Sequence, residues 1–147
     1  MRRTRIKICG ITRLEDAASA AAGGADALGF VCYERSPRFV EPGRLRALAR
    51  ALPPFVTPVL LFVNAAAERV RECLAEVPNA LLQFHGDETA AECERFERPY
   101  LRAIRSSLRL RALPAGRYHR LGLPTLRAIH RYCRSTEPSA PCTVEQT

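Results

Sequence analysis

The sequence has no long apolar run. Its most apolar stretch, Ala17 to Val31, is too short to span a bilayer and is broken by Gly23, Gly24 and Asp26. Arg2, Arg3 and Arg5 open the chain as a signal peptide would, but polar and charged residues follow where an apolar segment is required. A cytoplasmic protein with no membrane partner is expected. Metal-ligand spacing is missing as well. The six cysteines, at positions 9, 32, 73, 93, 133 and 142, form no CxxC pair. Without a secretion signal they are expected to be reduced thiols, most of them packed as small buried hydrophobes.

Acidic residues run short in the last third. Residues 1–105 carry 16 Lys and Arg against 13 Asp and Glu, whereas residues 106–147 carry 7 against 2. The net charge of +8 is therefore mostly a property of the tail. Tyr118 and Tyr132 accompany those arginines, but no nucleic-acid-binding motif does. Solvated charge is the simpler reading, and nucleic acid is not expected as a partner.

The composition, 47% hydrophobic and 26% charged over 147 residues, suits a globular domain with a core of its own. Five apolar or β-branched runs predict strands over Arg5–Cys9, Asp26–Val31, Val56–Val63, Ala80–Phe84 and Tyr100–Ile104. Between them, helical spacing predicts helices over Leu14–Ala22, Pro42–Leu52, Ala66–Val77 and Glu88–Phe96. Pro42 suits a first helical turn and Gly23-Gly24 a helix end. Strands alternating with helices imply βαβ units and a parallel sheet over residues 1–105. Residues 106–147 break the rhythm with Arg, Leu, Pro and Ser. One short basic helix is expected there, over Thr125–Cys133, with an irregular end.

In parallel α/β sheets, ligands bind at the carboxyl ends of the strands. Those positions hold Cys9-Gly10, then Arg38 in the loop after strand two, Asn64, His85-Gly86-Asp87-Glu88 and Arg105. A thiol, an imidazole, an amide and guanidinium groups on one rim suit a small anionic substrate and proton transfer. Each residue also has an ordinary alternative. Cys9 reads as a packing residue, His85 as a turn cap, Arg38 as a solvated loop charge and Asn64 as a helix N-cap.

Five segments occur in a telling order: Lys7-Ile8-Cys9-Gly10-Ile11-Thr12, Gly24-Ala25-Asp26-Ala27-Leu28-Gly29-Phe30-Val31, Ser36-Pro37-Arg38, Leu61-Phe62-Val63-Asn64 and Leu82-Gln83-Phe84-His85-Gly86-Asp87-Glu88. Together, over about residues 4–105, they resemble the phosphoribosylanthranilate isomerases of tryptophan biosynthesis. The resemblance implies a parallel (β/α)8 TIM-barrel fold, here truncated to about five βα units plus an irregular tail. It implies an Amadori rearrangement of N-(5-phosphoribosyl)anthranilate to 1-(2-carboxyphenylamino)-1-deoxyribulose 5-phosphate, with no cofactor and no metal. Cys9 would be the general base at ribose C2. A free thiol titrates near about 8.5, so such a base calls for cationic neighbours. Arg38 would face the anthranilate carboxylate, and His85 would stand beside the substrate.

The same resemblance marks a deficit. The family's general acid is an aspartate after strand six, and its phosphate sits in a Gly-Gly-Thr-Gly type loop after strand seven. After Asp87 the chain has no aspartate, and Gly116 and Gly122 stand alone. Acid–base groups contribute on the order of 10²–10⁴-fold each, so little activity is expected of this chain unaided. Glu34 and Asp87 are candidate replacement acids, and spacing selects neither. A frameshift near codon 105 would account for the tail, with completion by a complementing fragment or an oligomer as one outcome. The competing reading is an inactive truncated barrel or a non-catalytic binding module.

Overall fold

Parallel strands buried on both faces need near-continuous apolar sequence, and the strands form where such runs occur. The computed structural model describes residues 4–103. In chain order they form β1 (Lys7–Cys9), α1 (Leu14–Ala22), β2 (Ala27–Val31), α2 (Pro42–Arg50), β3 (Thr57–Phe62), α3 (Ala67–Glu76), β4 (Leu81–Phe84), α4 (Ala90–Glu94) and β5 (Tyr100–Arg102). The elements predicted over residues 5–104 are all present, with ends trimmed where loop hydrogen bonds take over.

The five strands pair in parallel, in the order β1-β2-β3-β4-β5. A sheet that follows sequence order has no switch point. It therefore matches a sector of a (β/α)8 barrel rather than a doubly wound sheet. Cys9 is in register with Gly29, Gly29 with Val59, and Val59 with Leu81. Val31, Leu61, Gln83 and Leu101 form the next level toward the carboxyl ends.

Alternation along the strands divides the two faces. Leu28, Phe30, Leu60, Phe62, Leu82 and Phe84 join the helix-side core. Each of the first three helices buries a pair of residues three apart: Ala17 and Ala20, Leu45 and Leu48, Val70 and Cys73. That spacing places each pair on one helical stripe. The opposite face of the sheet carries Lys7, Cys9, Gly29, Val31, Val59, Leu61 and Gln83.

Helix ends follow local chemistry. Pro42 opens α2. Gly24, with φ of +90°, follows α1, and its N–H donates to Ala21 O at 3.0 Å. Thr89 and Glu92 close a capping box on α4. Asn64 departs from its expected role, because Ala66 is the N-cap of α3. Asn64 instead takes a left-handed φ of 50° and uses its side chain across the rim.

Residues 4–103 lie within one compact unit, Met1–Ile104. The expectations for residues 106–147, including the helix over Thr125–Cys133, lie outside the described residues. No helix among the described residues is long and apolar enough to cross a membrane.

Candidate functional site

Cys9 closes β1 and is half-buried, while Cys32, Cys73 and Cys93 are fully buried free thiols. Those three read as core. A hydrogen bond with Cys73, then burial, pushes the Cys32 thiol far up and keeps it protonated. Burial also raises Cys93. Cys9 lies outside the helix-side core, on the opposite face of the sheet.

The turn after Cys9 is pinned to β2. Gly10 and Ile11 both donate backbone N–H groups to Gly29 O, at 2.9 and 3.1 Å. Gly10 has φ of +90°, a conformation that glycine adopts without steric cost. Its missing side chain also makes room for Arg38. A Cβ on Gly10 would lie 2.6 Å from Arg38 Cδ and 2.8 Å from Cζ. Arg38 Nη1 donates to Cys9 O at 3.1 Å, and the Arg38 backbone N–H donates to Ser36 Oγ at 3.2 Å. The Ser36-Pro37-Arg38 turn thus delivers a guanidinium group to the end of β1.

One residue was not singled out by its sequence position. Lys7 lies two residues before Cys9, on the same face. A Cβ on Gly29 would lie 2.7 Å from Cys9 Sγ and 3.0 Å from Lys7 Nζ. The ammonium and the thiol therefore converge over the bare backbone of β2. A glycine inside a strand is the sequence signal for such a close approach.

His85 follows β4, with β2 and β3 between it and β1. It stands beyond the Cys9 level, toward the carboxyl ends of the strands. Its backbone N–H donates to Phe62 O at 2.9 Å. Gln83 Nε2 lies 2.6 Å from His85 Nε2. Gln83 itself is 2% exposed, and its Oε1 is buried with no hydrogen-bond partner among the described residues.

Glu88 and Asn64 tie the rim together. Glu88 is 7% exposed; its Oε1 accepts from Asn64 N at 2.6 Å and its Oε2 from Gly86 N at 2.8 Å. Asn64 Oδ1 accepts from Asp87 N at 2.7 Å. A Cβ on Gly86 would lie 2.6 Å from Asn64 Cγ, so the two loops close only over glycine. The β3–α3 and β4–α4 loops are thereby locked into one surface.

The candidate acids fare differently. Glu34, with its side chain exposed, pairs its Oε1 with Arg69 Nη2 of α3 at 3.0 Å. Asp87 lines a depression with Arg95 and Phe96 beside α4. Among the described residues no group of His, Cys, Asp and Glu could hold a metal ion.

Comparison with known proteins finds one enzyme family. The family model described as N-(5'phosphoribosyl)anthranilate (PRA) isomerase matches residues 6–113, past the compositional change at Arg105. The N-(5'-phosphoribosyl)anthranilate isomerase of Leptothrix cholodnii is 62% identical over 103 residues, 70% of this chain and 47% of that protein. Its counterpart in Pseudomonas aeruginosa is 62% identical over 101 residues, 69% of this chain and 48% of that protein. The chain spans about half the length of the curated relatives it matches. Among solved structures, phosphoribosyl anthranilate isomerase from Thermotoga maritima superposes with a TM-score of 0.65 at 40% identity, covering 68% of this chain and 50% of that one. A phosphoribosyl anthranilate isomerase in complex with reduced 1-(o-carboxyphenylamino)-1-deoxyribulose 5-phosphate also gives 0.65, at 38% identity, covering 68% and 53%.

Proposed function

The chain belongs to the N-(5'-phosphoribosyl)anthranilate isomerase family, and on that premise we propose that it supplies the base half of that isomerase's site. The substrate is phosphoribosylanthranilate and the setting is tryptophan biosynthesis in the cytoplasm. The observation that carries the reading is the junction of Cys9, Gly10 and Arg38. There a half-buried thiol at a strand end meets a guanidinium group that donates to Cys9 O at 3.1 Å.

In the proposed reaction the ribose opens to an iminium at C1. Cys9 Sγ takes the proton from C2, the C–H electron pair forms the C1=C2 bond, and the former C1=N pair returns to nitrogen. Tautomerisation of the resulting enol at C2 yields the ketose. The fork of Arg38 pairs with the anthranilate carboxylate. His85, held by Gln83, borders the substrate from the far side of the rim. The acid for ring opening and the phosphate cradle come from a complementing polypeptide. Glu34 is paired to Arg69, and Glu88 is occupied by two backbone N–H groups.

A bacterial tryptophan auxotroph lacking this isomerase provides the test. The chain is expressed with and without a polypeptide supplying three further βα units, beside a Cys9→Ala control. Growth that depends on Cys9 supports the reading. Growth that survives Cys9→Ala overturns the assigned base, and no growth in either arm overturns the half-site proposal.

A further inference from the structure

Lys7 Nζ is buried and has no hydrogen-bond partner among the described residues. An uncompensated buried ammonium is costly to a fold, and the usual remedy is an anion beside it. The Cys9 sulfur shares its corner of the sheet. Cys9 Sγ and Lys7 Nζ both crowd the point where a Gly29 side chain would begin, at 2.7 and 3.0 Å. Arg38 is the other cation at this corner, but its Nη1 is directed to the carbonyl of Cys9. That leaves the sulfur to Lys7.

We propose that Lys7 is a positioning residue for Cys9, its ammonium acting as the fixed counter-charge to the sulfur across the gap left by Gly29. The role rests on the reading of Cys9 as general base. A cysteine receives the C2 proton as its thiolate, which carries a negative charge. The ammonium supplies the matching positive charge without touching substrate. Gly29 is what permits it, since any side chain there would part the two atoms.

The test reads charge at the sulfur and needs no turnover, so it stands apart from the fate of the isomerase reading. The full chain is alkylated with anionic iodoacetate or neutral iodoacetamide, and the rate at Cys9 is followed by peptide mass analysis. Wild type, Lys7→Met and Lys7→Arg are compared. Changes in accessibility and in thiolate fraction move both reagents together, so the ratio of the iodoacetate rate to the iodoacetamide rate reports the electrostatic potential at the sulfur. That ratio should fall in Lys7→Met by about threefold to tenfold, the scale of one unit charge a few ångströms away in a mostly aqueous dielectric. Lys7→Arg should keep it. Continued protection of Cys32, Cys73 and Cys93 reports an intact fold. If Lys7→Met exposes those thiols, Lys7→Gln makes the same comparison. A ratio unchanged from wild type in a folded, neutral variant overturns the proposal.

Discussion

Gly29 decides by its missing side chain what two neighbouring residues can do. Replacing it with alanine would put a methyl group 2.7 Å from Cys9 Sγ and 3.0 Å from Lys7 Nζ, so both must move. We expect Gly29→Ala to slow alkylation of Cys9 by iodoacetate at least severalfold while Cys32, Cys73 and Cys93 stay protected. Unchanged kinetics would show that the gap is not needed. Glu88 offers a second residue-scale prediction. Removing a buried acceptor leaves the Asn64 and Gly86 N–H groups unpaired, at a cost of about 1–3 kcal/mol each. Glu88→Ala should therefore lower the urea midpoint clearly, and a midpoint equal to wild type would contradict the clamp. Neither role can be read from spacing. Glu88 is visible in the sequence as a charge after a strand, but its partner Asn64 arrives from another loop through a left-handed backbone. The positions of Cys9 and His85 after strands follow from the pattern of apolar runs, whereas Arg38 was singled out by the resemblance of Ser36-Pro37-Arg38 to the family motif.

Among the elements, β4 is the joint of the second half of the sheet. Phe84 meets Phe62 of β3, Phe96 after α4 and Tyr100 of β5, with ring centroids 6.2, 6.0 and 6.1 Å apart. Phe84→Ala opens a cavity among three elements and should cost about 3–5 kcal/mol, read as loss of the native urea transition or a large shift in its midpoint. The short helix α4 depends on its cap. The Thr89 backbone N–H and hydroxyl hold the Glu92 carboxyl below its ordinary value of 4.5. A carboxyl lowered by folding adds stability above its unfolded value, and that stability fades as pH falls through the folded value. Glu92→Gln should therefore be less stable than wild type at neutral pH, and the gap should close in acid. A gap that persists well below pH 4.5 would contradict the charged cap. Element type and order followed from apolar runs separated by helical spacing. The exact ends did not, because they depend on loop bonds such as Asp26 N to Ile6 O at 2.8 Å.

At the scale of the molecule, five parallel strands in sequence order leave β1 and β5 outermost among the described residues. A sheet of this kind is part of a curved wall, and barrel enzymes draw catalytic groups from the ends of several strands. The prediction here is one of assembly. A polypeptide carrying three further βα units, with a strand-end aspartate and a glycine-rich loop, should co-purify with this chain and raise isomerase activity well above that of either part. Absence of both effects would contradict completion in trans. The sequence by itself determined the βα rhythm, the strand-end positions of Cys9 and His85, the loop position of Arg38, and the family, because periodicity and ordered motifs are local properties of a chain. Only the tertiary structure decided that Lys7 and Cys9 meet over Gly29, that Arg38 crosses Gly10, that Glu34 pairs with Arg69, and that Glu88 is a clamp. Those facts depend on which side chains converge from different strands and loops, and on glycine leaving the space in which they do so.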